Sequence, residues 1–232
     1  MKTYKHLDLI TAFFVATLLI SNVASSAKIL DLGFSLFGVP MAFDAGTLIF
    51  PLSYIFGDIL TEVYGYRRSR RVIWIGFFCS GLMGLAFWAA SKMPGETAWQ
   101  AYAGDKAFDA ILGGVSTGGI LVASLAAYLV GEFSNAFIMA KLKVKMDGKR
   151  LWVRTIGSTL VGELLDTSTF ILIACALGVF PWAIALSLIV TNYLFKTALE
   201  VIMTPVTYRV VGVLKRSEKE DFYDKGTNFN PF

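Results

Sequence analysis

The chain of 232 residues is 56% hydrophobic and only 16% charged, with a mean hydropathy of +0.63, and a water-soluble domain rarely carries so few charges. Its formal charge of +4 comes from 21 Lys and Arg against 17 Asp and Glu. The basic residues stand in short islands between apolar runs rather than on one polar face, so no nucleic-acid partner is expected. Cys79 and Cys175 lie far apart and His6 is the single histidine, which leaves neither a disulfide framework nor a metal cluster.

A hydrocarbon core of about 30 Å needs roughly 20 apolar residues of helix. Six such windows, bounded by charges, fall at roughly 8 to 27, 43 to 63, 72 to 91, 110 to 138, 155 to 178 and 183 to 212. The first follows Lys2 and Lys5, as a signal peptide would, but no small-x-small cleavage site leads into a soluble domain, so it reads as a retained helix. Pro51 in the second window and Pro205 in the sixth are expected to kink their spans. Between the third and fourth, residues 92 to 109 are expected to form a short lid or interfacial helix. The fourth window contains GGVSTGG at 113 to 119, which lacks the Lys-Ser/Thr pair and the preceding strand of a phosphate loop; Gly114 and Gly118, four apart, point to close helix packing instead. The expected fold is all-α, a polytopic membrane domain over residues 1–216 followed by a polar, mobile cytoplasmic tail over 217–232.

Alternation of six helices sorts seventeen of the basic residues to one side: Lys2 and Lys5, Arg67 to Arg71, Lys141 to Arg154, and Arg209 to Lys225. Lys28, Lys92 and Lys106 fall on the other side, and Lys196 lies within a span. By the positive-inside rule both termini are cytoplasmic. With no soluble domain and no HExxH, GxSxG or Asp-rich metal motif, neither an enzyme nor a cofactor is expected.

Ionisable residues inside spans are costly and mark function more often than packing. They recur here at three- and four-residue spacing, hence on single helix faces. The second span carries Tyr54, Asp58, Thr61 and Glu62; the fourth Ser124, Tyr128, Glu132 and Asn135; the fifth Thr159, Glu163 and Asp166; the sixth Asn192, Lys196, Glu200 and Thr204; the first adds Ser21, Asn22 and Ser25. Glu132 stands nine residues before Lys141 and Glu163 nine after Arg154, which puts both about 13 Å above the basic layer. Lys196 at similar depth is expected to offset the acids. The alternative is interhelical hydrogen bonding, which suits the Ser, Thr and Asn residues best. For Asp58 and Glu62, pairing with the Arg67 to Arg71 island weighs evenly against a role in a site.

The segments LLISN at 18 to 22, FPLSYIFGDILTEVYGYRRSRRVIW at 50 to 74, GEFSNAFIMAKLK at 131 to 143, RTIGSTLVGELLDTSTF at 154 to 170 and NYLFKTALEVIMTPVTYRVV at 192 to 211 together resemble the queuosine precursor transporter family, also called the vitamin uptake transporter family. The resemblance implies a multi-pass protein of the bacterial inner membrane that imports a 7-deazaguanine (7-cyano-7-deazaguanine, 7-aminomethyl-7-deazaguanine or queuine) for tRNA modification. A guanine-type edge offers two adjacent N–H donors to a carboxylate, while an amide or ammonium meets its carbonyl oxygen. Glu132, Asn135, Glu163 and Asp166 are therefore expected to read the base and Asn192 and Lys196 to complete the site. Asn22 and Asp58 are further candidates, and Tyr128, Tyr193 and Phe170 are candidate stacking rings. Transport by alternating access, with proton coupling through Glu163 or Asp166, is the expected mechanism. The rival within transport is the substrate-binding component of an energy-coupling-factor vitamin importer, for which Ala12-x-x-x-Ala16 offers a helix-packing face; a membrane scaffold is the rival outside it.

Overall fold

A computed structural model describes residues 4–36, 39–116, 118–178 and 181–232. In chain order, α1 (Leu7–Ala27) leads into an antiparallel hairpin of β1 (Ile29–Leu36) and β2 (Val39–Asp44), then a 3-10 turn (Ala45–Leu48) and α2 (Phe50–Tyr64). There follow α3 (Tyr66–Ser91), α4 (Thr97–Tyr102), α5 (Gly104–Ser116), α6 (Gly118–Lys145), α7 (Leu151–Ala176) and α8 (Ala185–Glu218). The hairpin departs from the all-helical expectation. Its cause is legible in ILDLGFSL at 29 to 36, where apolar residues alternate with Asp31, Gly33 and Ser35 at a period of two, the pattern of a strand.

Among the described residues, five helical segments are long and apolar enough to cross a bilayer: Leu7–Ala27, Tyr66–Ser91, Gly104–Lys145, Leu151–Ala176 and Trp182–Glu218. They answer to five of the six expected windows. The remaining window divides into the 3-10 turn and α2. The 15 residues of α2 rise about 22 Å and the four of the turn about 8 Å more, near the thickness of the hydrocarbon core only when taken together. Pro51 does not kink this segment. It occupies the first turn of α2, where a missing N–H leaves no bond unmade. Pro205, by contrast, lies inside α8.

α2 is the innermost helix, buried from Gly57 through Tyr64. Its apolar positions Ile55, Ile59, Leu60 and Val63 pack with Phe14 and Leu18 of α1, Ile73 of α3 and Met139 of α6. Large apolar side chains on the outer helices, among them Phe13, Phe78, Leu82, Leu172, Leu186 and Ile202, are exposed, a coat suited to lipid rather than water. α6 and α7 approach most closely at two glycines. A Cβ on Gly131 would stand 3.2 Å from the Gly162 carbonyl oxygen, and a Cβ on Gly162 the same distance from that of Gly131. At Gly114 the expected close packing is present, because its amide donates to Ser26 Oγ of α1; Gly118 opens α6. Within the 92 to 109 segment lie α4, whose N-terminus is capped by Glu96, and the start of α5. Amides of Ala98 and Trp99 hold that carboxyl below its usual range.

The expected loop at 64 to 71 is a single residue. Gly65, at φ +84, joins α2 directly to α3, so Arg67 to Arg71 occupy the first turns of a helix. Basic residues are unfavourable at a helix N-terminus, and the chain's end compensates. Asp224 accepts the Tyr66 amide at 3.1 and 3.2 Å, the Phe222 amide donates to the Val63 carbonyl, and Trp74 Nε1 donates to the Pro231 carbonyl. The C-terminal segment is thus packed over the α2–α3 corner rather than mobile. Its capping bonds satisfy helix-end groups that would otherwise lack partners.

Gly65→Ala is expected to lower the midpoint of thermal unfolding in detergent and to expose the C-terminal segment to protease, since a Cβ there would run into the Phe222 ring in a backbone conformation that only glycine adopts freely. Burial raises the Asp221 carboxyl, but hydrogen bonds and charges from Lys143 and Lys215 outweigh it and hold the group below its usual range. A depressed carboxyl stabilises fully above its ordinary pKa and ceases to do so as pH falls through its folded value. Protection of the tail from an acid-active protease is therefore expected to be constant from neutral pH to about 5 and to fall below about 4, while Asp221→Asn is expected to flatten that profile.

Candidate functional site

At one end of the bundle, Glu62 of α2 is fully buried and surrounded by cations from three other helices. Arg154 of α7 forks onto it, with Nη1 2.5 Å from Oε2 and Nη2 3.1 Å from Oε1. Lys215 of α8 reaches Oε1 at 2.6 Å, and Lys143 of α6 lies 3.6 Å away while donating to the Glu62 carbonyl. Asp221 bridges Lys143 and Lys215 from outside. Of the two readings that weighed evenly for Glu62, pairing with the Arg67 to Arg71 island is not the one found; Arg68 instead caps the Tyr64 carbonyl. Both termini meet at the same end, where Glu218 accepts the amides of Lys5 and His6 and the Tyr64 hydroxyl.

Toward the other end a cavity of about 410 Å³ opens between α1, α3, α5, α6, α7 and α8, within the range of small-molecule sites. Most of its wall is apolar, and its polar groups come from Asn22, Ser25 and Ser26 of α1, Thr47, Ser80 of α3, Ser124 and Tyr128 of α6, Asp166 and Thr167 of α7, and Asn192 and Lys196 of α8. Its principal ion pair is Lys196 to Asp166, 2.9 Å apart, with Glu163 at 3.4 Å from the same ammonium. That ammonium also stands 4.0 Å from the centroid of the Phe50 ring, a cation–π contact that fixes it at the cavity wall. The expected offset of acids by Lys196 is thus realised on α7, one helical turn apart.

The residues singled out from sequence divide into two layers. Asn22, Tyr128, Asp166, Asn192 and Lys196 line the cavity, as does Phe170. Asn192 Nδ2 donates to the Leu188 carbonyl, which leaves its amide oxygen toward other partners, and the Tyr128 hydroxyl donates to the Ile73 carbonyl. Glu132, Asn135, Glu163 and Asp58 are buried behind this wall and do not line it. Asn135 Nδ2 donates to Asp58 Oδ1 at 2.9 Å, so Asp58 pairs with an amide of α6, not with arginine. Tyr193 is not part of the wall. Sequence reasoning did not single out Phe50, Ser26 or Thr47 for the site. Phe50 had a usable signal, since it begins the quoted 50 to 74 segment; Ser26 and Thr47 had none beyond their being small and polar.

The sequence profile described as "Putative vitamin uptake transporter" matches residues 44–210, more than half of the chain. The chain belongs to this family. The vitamin uptake transporter match takes in α2 through most of α8 and leaves α1, nearly all of the hairpin and the C-terminal cap outside it. Similar curated proteins include a "Probable queuosine precursor transporter" of Bacillus subtilis, 27% identical over 75% of this chain and 74% of its own length. Another of the same name from Haemophilus influenzae is 26% identical over 72% and 67%. A "Queuosine precursor transporter" of Escherichia coli is 24% identical over 66% and 63%. No solved structure matches the chain.

Arg154→Ala is expected to cost about 1.5 to 3 kcal/mol of folding stability, the loss of a charge-assisted hydrogen-bond pair from a Glu62 that keeps Lys215 and Lys143, measured by unfolding in mixed detergent micelles. Gly131→Ala is expected to reduce ligand affinity as well as stability. A Cβ there would stand 2.7 Å from the Asp166 Cβ and 2.8 Å from the Tyr54 hydroxyl, and the shift that relieves it moves Asp166 from Lys196.

Proposed function

We propose that this chain imports a queuosine precursor, a 7-deazaguanine, across the bacterial cytoplasmic membrane, and that the cavity beside Asp166 and Lys196 is its substrate site. The observation that carries the reading is the pairing of a carboxylate and an ammonium on the wall of an otherwise apolar, aromatic-bearing cavity inside a lipid-coated bundle, in a chain similar to proteins named as queuosine precursor transporters. The chemistry suits a flat, polar-edged base. Asp166 accepts the paired N–H donors of a guanine-type edge, Lys196 and the amides of Asn22 and Asn192 meet its carbonyl oxygen and ring nitrogens, and Phe50, Tyr128 and Phe170 cover its faces. Glu163 acts through Lys196, which it holds from behind. Glu132, Asn135 and Asp58 act from the layer below. No cofactor takes part, and the chain works as a carrier rather than an enzyme.

The membrane arrangement proposed with this function has six crossings, the second made by the 3-10 turn and α2 together, with the Glu62 cluster and both termini on the cytoplasmic side. The four basic islands gather at that end. The cavity then faces outward and the Glu62 cluster closes the inward path, as one state of an alternating-access cycle requires. The importer-subunit alternative assigns the same cavity to binding alone. Ala12 and Ala16 are consistent with either, since a small-residue stripe on α1 packs against lipid as readily as against a partner.

In cells that lack their own precursor synthesis, Asp166→Asn and Lys196→Met are each expected to reduce uptake of labelled 7-cyano-7-deazaguanine at least tenfold, about 1.4 kcal/mol or more of lost substrate binding. Unchanged uptake in both variants sinks the assignment of this site. Transport by the purified chain in liposomes, without any ATPase, decides against the importer-subunit reading.

A further inference from the structure

Beneath the cavity, four helices turn carboxyl side chains toward one another: Asp58 of α2, Glu132 of α6, Glu163 and Asp166 of α7, and Glu200 of α8. All five are buried, none more than 7% exposed. Asn135 donates to Asp58, and Lys196 is shared by Asp166 and Glu163. Both carboxyl oxygens of Glu132 and both of Glu200 lack any hydrogen-bond partner, as do Asp58 Oδ2, Asn135 Oδ1 and the Tyr54 hydroxyl. Gly57 makes room for Glu132, because a Cβ there would stand 3.1 Å from its Oε2.

Charged and titratable groups from five helices surround this layer. α2 supplies Tyr54, Asp58 and, one turn lower, Glu62; α3 supplies Cys79 near Tyr128; α6 supplies Tyr128 and Glu132; α7 supplies Glu163, Asp166 and, at the cluster end, Arg154; α8 supplies Lys196 and Glu200. Arg154 is committed to Glu62 by two bonds. Among the described residues, one ammonium therefore stands against five carboxyls. Five carboxylates cannot all stay ionised in a low-dielectric interior with one cation between them. A metal ion is one remedy, but among the described residues no three acidic, histidine or cysteine side chains converge as its ligands. Protons are the other. A protonated Glu132 or Glu200 loses its charge and gains a donor for the neighbouring acceptors, which removes the electrostatic and the hydrogen-bonding defect together.

We propose that Glu132 and Glu200 are proton-binding sites that couple import to the proton gradient, a proposal that rests on the transport reading above. With the cavity open outward, a proton entering by way of Asp166 and Glu163 binds one of these carboxylates and gives the neutral acid. When the Glu62 cluster opens, the O–H bond breaks, the proton passes to cytoplasmic water and the carboxylate is restored; no other bond changes. Neither group lines the cavity, so neither need touch the substrate.

The test uses the full-length protein in liposomes with 7-cyano-7-deazaguanine, an uncharged base, so that any coupled charge is the proton's. Substrate exchange at equal pH reports the transport reading by itself, and accumulation under an alkaline interior, with pyranine inside, reports coupling. The wild type is expected to exchange substrate, to acidify the lumen as substrate enters, and to accumulate it up to about tenfold per pH unit for each proton carried. The Glu132→Gln/Glu200→Gln double variant is expected to lose gradient-driven accumulation and acidification. Glu200→Gln is expected to keep substrate-dependent thermal stabilisation, and Glu200→Asp, which keeps a titratable group, to keep coupling. Exchange by the wild type that no pH gradient can drive into accumulation overturns the proposal and leaves transport standing. Full accumulation by the Glu132→Gln/Glu200→Gln variant also overturns it. Absence of all exchange by the wild type overturns the transport reading and this proposal together. The wild-type measurements decide even where a glutamine variant fails to fold.

Discussion

A carboxylate buried at the inner end of α2 organises the rest of the molecule. Removing Glu62 from water is costly, and the cost is offset only because Arg154, Lys215 and Lys143 arrive from α7, α8 and α6 within ion-pair distance. Three helices are thereby fixed in register against the innermost one. Asp221 offsets part of the surplus positive charge and brings the chain's end with it. From that anchor the tail continues to Asp224 and Phe222, which cap the corner between α2 and α3. Conversely, a closure made of ion pairs can part into water more readily than an apolar plug, because each separated charge regains its hydration. In the proposed transport cycle the same residues hold the end of the bundle shut and permit it to open.

Above the anchor, satisfaction of polar groups declines step by step. The Glu62 cluster is richly bonded, the layer of Glu132 and Glu200 carries orphaned oxygens, and the cavity beyond it is walled mainly by apolar and aromatic surface. Stable packing alone does not call for the middle layer, since apolar residues of like size would fill α6 and α8 without the desolvation cost. The proposed transport cycle gives its location between the Glu62 cluster and the cavity a reason: a path for substrate or protons must be polar along its length, and in one conformation some of its groups wait without partners. The contact of Gly131 with Gly162 serves the same arrangement, drawing α6 and α7 close enough for Glu132, Asn135 and Asp166 to share one region.

Legibility in the sequence followed the strength of the physical constraint. Helices long enough to cross a bilayer are forced to be apolar over some 20 residues, so α1, α3, α6, α7 and α8 could be read directly. The four-residue repeat of Asn192, Lys196, Glu200 and Thr204 located the polar face of α8, and depth showed that Lys196 offsets buried acids, while only the structure picks out those of α7. The hairpin was readable as well, through the period-two pattern of ILDLGFSL, but it lies between spans where helical windows give no signal. Other features had no local signature. Pro51 has the same covalent chemistry at the first turn of a helix as in its middle, and only the start of α2 shows that it makes no kink. Arg154, Lys143 and Lys215 looked like members of solvent-facing islands, and the burial that sets them apart is a property of their neighbours.

By itself the sequence determined the solvent of this protein, its family, and which faces of which helices carry charge, because hydrophobic length and helical spacing act within single segments. The tertiary structure decided which charge meets which. It gave Glu62 to Arg154 and not to the arginines five to nine residues along the chain, put Asp166 and Lys196 on the cavity wall with Glu132 and Glu200 beneath it, and turned the tail into a cap. Those choices rest on the approach of helices distant in the chain, where burial raises the cost of an unpaired charge from a trifle to several kcal/mol and so selects one partner among several that spacing alone would allow.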